Sequence, residues 1–142
     1  MKTKIKILFF ILATGLIFST SCKKYPEGPS LSLRTKTQRL TGTWTVEKVL
    51  VNGNEATLND YYKSIVVDIT KDGKFTYTYT FLTLPGKIEG EWKFNDDKSK
   101  LMMKENNSST WDESEILKLT NSEVWLKEVD GSITTETHYK AK

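Results

Sequence analysis

The chain has one cysteine, Cys22, and one histidine, His138. A single thiol excludes a disulfide framework and every multi-thiolate zinc site. Nucleophilic catalysis normally needs a base beside the nucleophile, and the only imidazole lies among Thr135, Glu136, Thr137 and Tyr139, as a surface residue of an alternating strand. No partner spacing points to a metal site there. Excess charge is also missing. The formal +3 comes from Lys2, Lys4 and Lys6, the only charges ahead of residue 22, and the chain from Cys22 onward carries 18 of each sign. With Arg34 and Arg39 as the only guanidinium donors, the basic footprint that phosphate contacts require is absent, so nucleic acid is not an expected partner. No Gly-rich phosphate loop occurs, since Gly42, Gly53, Gly73, Gly86, Gly90 and Gly131 fall mostly at turns. The acidic pairs at Asp96-Asp97 and Asp112-Glu113-Ser114-Glu115 sit in or beside turns, where carboxylates bind their own backbone or face water. Neither enzymatic activity nor a cofactor nor a metal is expected. At 142 residues the chain holds one domain.

What is present is most distinctive at the amino terminus. Lys2, Lys4 and Lys6 precede an uncharged run from Ile7 to Phe18, which leads to Ser19-Thr20-Ser21-Cys22. As a helix this run spans only about 18 Å, against about 30 Å for a bilayer core, so a permanent transmembrane helix is not expected. The pattern is that of an export signal over residues 1–21. Small residues immediately before the cysteine resemble a bacterial lipobox, and that resemblance implies that Cys22 is lipidated and becomes the new amino terminus. By the same resemblance, Lys23 rather than Asp after the cysteine points to the outer membrane.

Residues 22–38 read as a flexible tether, with Pro26, Gly28 and Pro29 early and almost no apolar periodicity. An edge strand through Leu31 and Leu33 is the alternative. From residue 39 onward the texture is all-β: short alternating runs and no stretch of more than about eight residues with a helical period. The runs are Thr43 to Val51, Ser64 to Thr70, Lys74 to Leu84, Lys87 to Asn95, Lys100 to Glu105, Ser114 to Thr120, Glu123 to Val129 and Ser132 to Lys140. Asp72-Gly73, Pro85-Gly86 and Asp130-Gly131 read as tight hairpin turns. Only Asn52 to Lys63 is long, with room for one helical turn in which Leu58, Tyr61 and Tyr62 cover an open end. Eight sequential antiparallel strands bury one face and lose their edges by closing, so residues 39–142 are expected to form an eight-stranded up-and-down barrel. Trp44, Val46 and Leu50 share a face with Lys48, which predicts a bulge in the first strand.

Gly42 and Trp44, in Leu40-Thr41-Gly42-Thr43-Trp44, resemble the Gly-x-Trp signature that opens lipocalins and related calycin barrels. The resemblance implies that Trp44 closes the barrel base and that Lys140 or Lys142 takes the place of the usual Arg that packs on it. With the lipobox and the Cys-Lys-Lys-Tyr-Pro-Glu-Gly-Pro stretch, the whole chain is similar to the lipocalin-like domain lipoproteins of Gram-negative bacteria. Thr41-Gly42-Thr43-Trp44 also resembles the first strand of biotin-binding barrels, but Val46-Glu47-Lys48-Val49 replaces the polar loop that should come next, and biotin is not carried over.

Strand alternation places Phe75, Tyr77, Tyr79 and Phe81 on one face, opposite Thr76, Thr78 and Thr80. Together with Ile88 and Trp92 they form the candidate site for a small apolar or amphipathic ligand. The alternative is a barrel filled by these same side chains, acting as a structural or protein-interaction module. An empty interior of a few hundred Å³ favours the first reading and a filled one the second.

Overall fold

The computed structural model describes Tyr25 and residues 33–142. The signal segment, Cys22 and Leu31 lie outside the described residues, while Leu33 is exposed and in no strand. A five-residue helix, α1 (Lys36–Leu40), opens the domain and occupies the end of the expected tether. Its start is fixed locally. The Thr35 hydroxyl accepts from the Gln38 backbone N–H (3.1 Å) while Gln38 Oε1 accepts from the Thr35 N–H (2.9 Å), a reciprocal cap that satisfies two otherwise free donors. Tyr25, also within the expected tether, is 3% exposed, and its hydroxyl donates to the Lys98 carbonyl at 2.8 Å.

The described residues form nine strands: β1 (Gly42–Val51), β2 (Asn54–Ala56), β3 (Val66–Ile69), β4 (Lys74–Phe81), β5 (Leu84–Phe94), β6 (Lys100–Glu105), β7 (Asp112–Leu119), β8 (Glu123–Asp130) and β9 (Ile133–Ala141). Between β2 and β3 lies α2 (Asp60–Ser64), the helical turn expected in the first connection. Each neighbouring pair is antiparallel, and β1 closes onto β9. One edge of β1 is divided between β3, which pairs with Gly42 to Thr45, and β2, which pairs with Val49 to Val51. These two short strands together make one stave, so the nine strands form a closed eight-stave barrel. The expected bulge in β1 falls between Val46 and Lys48, and it restores Val49 to the buried face while Lys48 pairs with Glu55 outside.

Two turns differ from expectation for backbone reasons. The β4–β5 hairpin turns at Leu82-Thr83, both at positive φ (48° and 77°), and Pro85-Gly86 lies inside β5. The turn therefore lacks the Gly or Asn that usually marks this geometry. The β1–β2 hairpin, inside the connection expected to be long, turns at Asn52-Gly53 with φ of 50° and 80°.

The starts of β1 and β4, the end of β5 and the start of β6 define the base, where α1 lies. Leu40 is fully buried there, and its carbonyl accepts the Trp44 indole N–H at 2.8 Å. Trp44 is buried at this base and lines the interior. Gly42 holds a φ of 151°, which a residue with a Cβ rarely adopts. At this end the Arg39 guanidinium donates to the Leu119 carbonyl at 2.9 Å. Lys140 is more than half exposed and 3.9 Å from Glu47, and Lys142 is exposed.

Candidate ligand-binding cavity

Inward positions come from the registers. Val67, Tyr77 and Ile88 face one another across β3, β4 and β5, and Gly90 faces Phe75 and Glu105. On the other side Leu101 pairs with Ser114, and Val124 with Tyr139. These strands surround a cavity of about 680 Å³ that runs from Leu40 and Trp44 at the base to the far end of the barrel. The filled-barrel alternative does not describe this interior.

The expected site residues are divided by the geometry. Phe75, Tyr77 and Ile88 line the cavity, with Trp44 at its floor. Tyr79 and Phe81 instead line a second, shallower depression of about 460 Å³ beside Tyr61 and Gly86. Phe81 is 57% exposed, because β4 runs past the rim and alternation continues where there is no longer an interior to face. Trp92 is buried in the wall and donates from its indole to the Thr70 carbonyl (2.9 Å), lining neither space. Gly86 lets the Tyr79 ring lie flat across the strand, since a Cβ there would come within 2.2 Å of the ring. Tyr61 of α2 meets Tyr79 edge-on (centroids 5.6 Å apart) and Phe81 (6.2 Å), so α2 forms one aromatic side of the mouth.

Several lining residues carried no sequence signal. On β6, β7 and β8 the inward row turns acidic toward the mouth, with Glu105, Asp112, Glu128 and Asp130. Ser114, 7% exposed, donates to Glu128 Oε1 at 2.7 Å. Burial raises the Tyr139 phenol well above its ordinary range, and the Glu128 carboxylate adds to the shift. Tyr77 is raised in the same direction, by burial first and then by its hydrogen bond with Tyr61. Both phenols therefore stay neutral at physiological pH and remain able to donate.

His138 lies on the outer face as expected but is only 8% exposed, because Trp125 stacks flat on it with centroids 3.9 Å apart and 2° between the planes. Its ring nitrogen bonds Glu136, its neighbour on the strand, and it takes no part in the cavity.

A closed eight-stave barrel, a Gly-x-Trp base and an axial cavity are in place, and residues 40–124 match the model of the lipocalin-like domain. The chain belongs to the lipocalin-like domain family. The match runs from Leu40 beneath the floor of the lipocalin-like barrel to Val124 in its wall, so it covers most of the staves that form the cavity. No curated protein matches the chain.

Proposed function

We propose that this lipocalin-like barrel is a lipid-anchored, non-catalytic envelope protein that binds a small apolar or amphipathic molecule. The observation that supports binding is the cavity itself. At about 680 Å³ it lies within the usual range of ligand sites, roughly 300–1,000 Å³, and it combines an apolar floor with a few polar groups near the opening. A ligand burying about 300 Å² of apolar surface gains about 7 kcal/mol before association costs, so the expected affinity is weak, micromolar at best. The anchoring half rests on Ser21-Cys22, the apolar run before it and the three leading lysines, and Lys23 favours the outer membrane. Dual or triple acylation holds a protein on a bilayer where a single chain does not.

Two measurements test the halves separately. Titrating the neutral probe N-phenyl-1-naphthylamine into the lipid-free Cys22→Ser protein should give saturable fluorescence. No saturation at high protein concentration removes the binding reading. Cys22→Ser should also either leave the membrane fraction or stay unprocessed, and a variant that is processed and fractionates with the membrane like the parent removes the anchoring reading. One observation favours a protein-interaction role instead: the β4–β5 hairpin carries Phe81, Leu82 and Leu84 into solvent, at 57%, 80% and 70% exposure.

A further inference from the structure

The glutamates divide by location. Of those among the described residues, only Glu105 and Glu128 have no Lys, Arg or His side chain within 4.0 Å, and both line the cavity. Outside it the pairing is systematic, as in Lys74–Glu91 (2.8 Å), Lys118–Glu123 (2.7 Å) and Lys127–Glu115 (2.9 Å). Asp112 and Asp130 add two more unpaired carboxylates to the same wall, and Glu113, which also borders the cavity, is held by Lys100 outside it. Among the described residues, no Lys, Arg or His lines the cavity. A closed barrel brings these acids together, since β6, β7 and β8 are consecutive staves and the acids stand at their mouth-side ends. Like charges gathered at one rim repel each other when the site is empty, and a cation placed among them relieves that repulsion while neutralising several at once. The opposite side of the mouth is aromatic and uncharged, with Tyr61 and Tyr77.

The geometry points to a ligand with an ammonium or guanidinium head on an apolar body, the head held by Glu105 and Glu128 and the body lying toward Trp44. This rests on the proposed binding function and names the ligand class for the same cavity. The two neutral phenols, Tyr77 and Tyr139, fit that class: each can orient a head group, and neither adds a positive charge to oppose it. An anionic amphiphile such as a fatty acid meets the wrong sign of charge at the rim.

The test uses three amphiphiles of one chain length, dodecylammonium, dodecanol and dodecanoate, titrated by calorimetry into the Cys22→Ser protein below their aggregation limits. Dodecylammonium should bind about tenfold more tightly than dodecanol, and added salt should erode the advantage. In the double variant Glu105→Gln/Glu128→Gln the ammonium-to-alcohol affinity ratio should fall toward one, whereas Glu47→Gln on the outer face should leave it unchanged. Circular dichroism establishes that each variant is folded, and the single variants stand in if the double one is not. Dodecanol binding as tightly as dodecylammonium, or dodecanoate binding most tightly, overturns the head-group inference and leaves the cavity reading standing. No binding by any of the three overturns both.

Discussion

Trp44 and Trp125 offer a comparison whose outcome depends on where each indole lies. Trp44 is 3% exposed at the cavity floor, and its N–H is the partner of the buried Leu40 carbonyl. Trp44→Ala should cost about 3–5 kcal/mol for the lost side chain. Leaving the Leu40 carbonyl unpaired should add about 1–3 kcal/mol. Trp44→Phe keeps most of the apolar volume but removes the donor and part of the ring, so its cost should fall below that of Trp44→Ala. Trp125 lies on the outer face, stacked on His138 with the Lys118 ammonium 4.3 Å from its ring centre. The stack is worth about 0.5–1.5 kcal/mol and the cation contact about 0.5–1 kcal/mol. The Trp125 indole nitrogen, however, is buried with no hydrogen-bond partner, and removing it recovers about 1 kcal/mol of desolvation. The net cost of Trp125→Ala should therefore be near 1 kcal/mol. Urea titrations tracked by far-ultraviolet circular dichroism compare the variants without relying on the fluorophores being deleted. If Trp125→Ala costs as much as Trp44→Ala, the assignment of floor and outer face is wrong.

Gly90→Ala should lose about 2–3 kcal/mol in the same titration, because its Cβ would lie 2.1 Å from the Lys104 backbone oxygen, an atom that cannot move without breaking the β5–β6 ladder. Gly86→Ala should cost less than half of that, since the atoms it meets belong to the Tyr79 ring at the open end; equal costs would contradict the argument. Thr83→Gly should raise stability by about 1 kcal/mol by relieving a β-branched residue at φ 77°, and a loss would show that the turn is not strained. Burial lifts the Tyr25 phenol from 10.0 to about 12, against a smaller opposing effect of Arg39. Its folded-state value lies above the unfolded one, so docking of Tyr25 is fully present below pH 10 and is lost as pH rises through 12. In tyrosinate absorbance, the difference between the parent and Tyr25→Phe should titrate near 12; a difference curve centred near 10 would mean that the ring is free in water.

The barrel was legible because alternation has only one reading in a closed sheet: Phe75 and Tyr77 face inward, and Lys87, Glu89 and Glu91 outward. What alternation does not carry is position along the barrel axis, which is why Phe81 keeps the phase of Phe75 yet lies beyond the rim. The acidic wall was hidden for a related reason. Glu105, Asp112 and Glu128 occupy inward positions but read as polar, and sequence patterning assigns polar residues to the solvent face. The β4–β5 turn is not legible because Pro85-Gly86 carries the usual turn chemistry, while Leu82-Thr83 carries none. Tyr25 had no signal either: one aromatic among prolines and glycines has no period, and its burial depends on a carbonyl 73 residues away.

If Cys22 carries the proposed lipid anchor, the pinning of Tyr25 sets which way the barrel faces. Its hydroxyl is held by Lys98 in the β5–β6 turn, at the base, and the Lys36 ammonium covers its ring at 4.5 Å. Tyr25 lies only three positions after Cys22, a reach of about 10 Å even when fully extended. With the acyl chains proposed at Cys22, the bilayer would lie against the Trp44 end, and the acidic opening would point away from it. Cargo would then arrive through the aqueous space or from a partner protein, never sideways from the supporting leaflet. Exchange would be governed by how readily the α2 side of the mouth admits a solute from water.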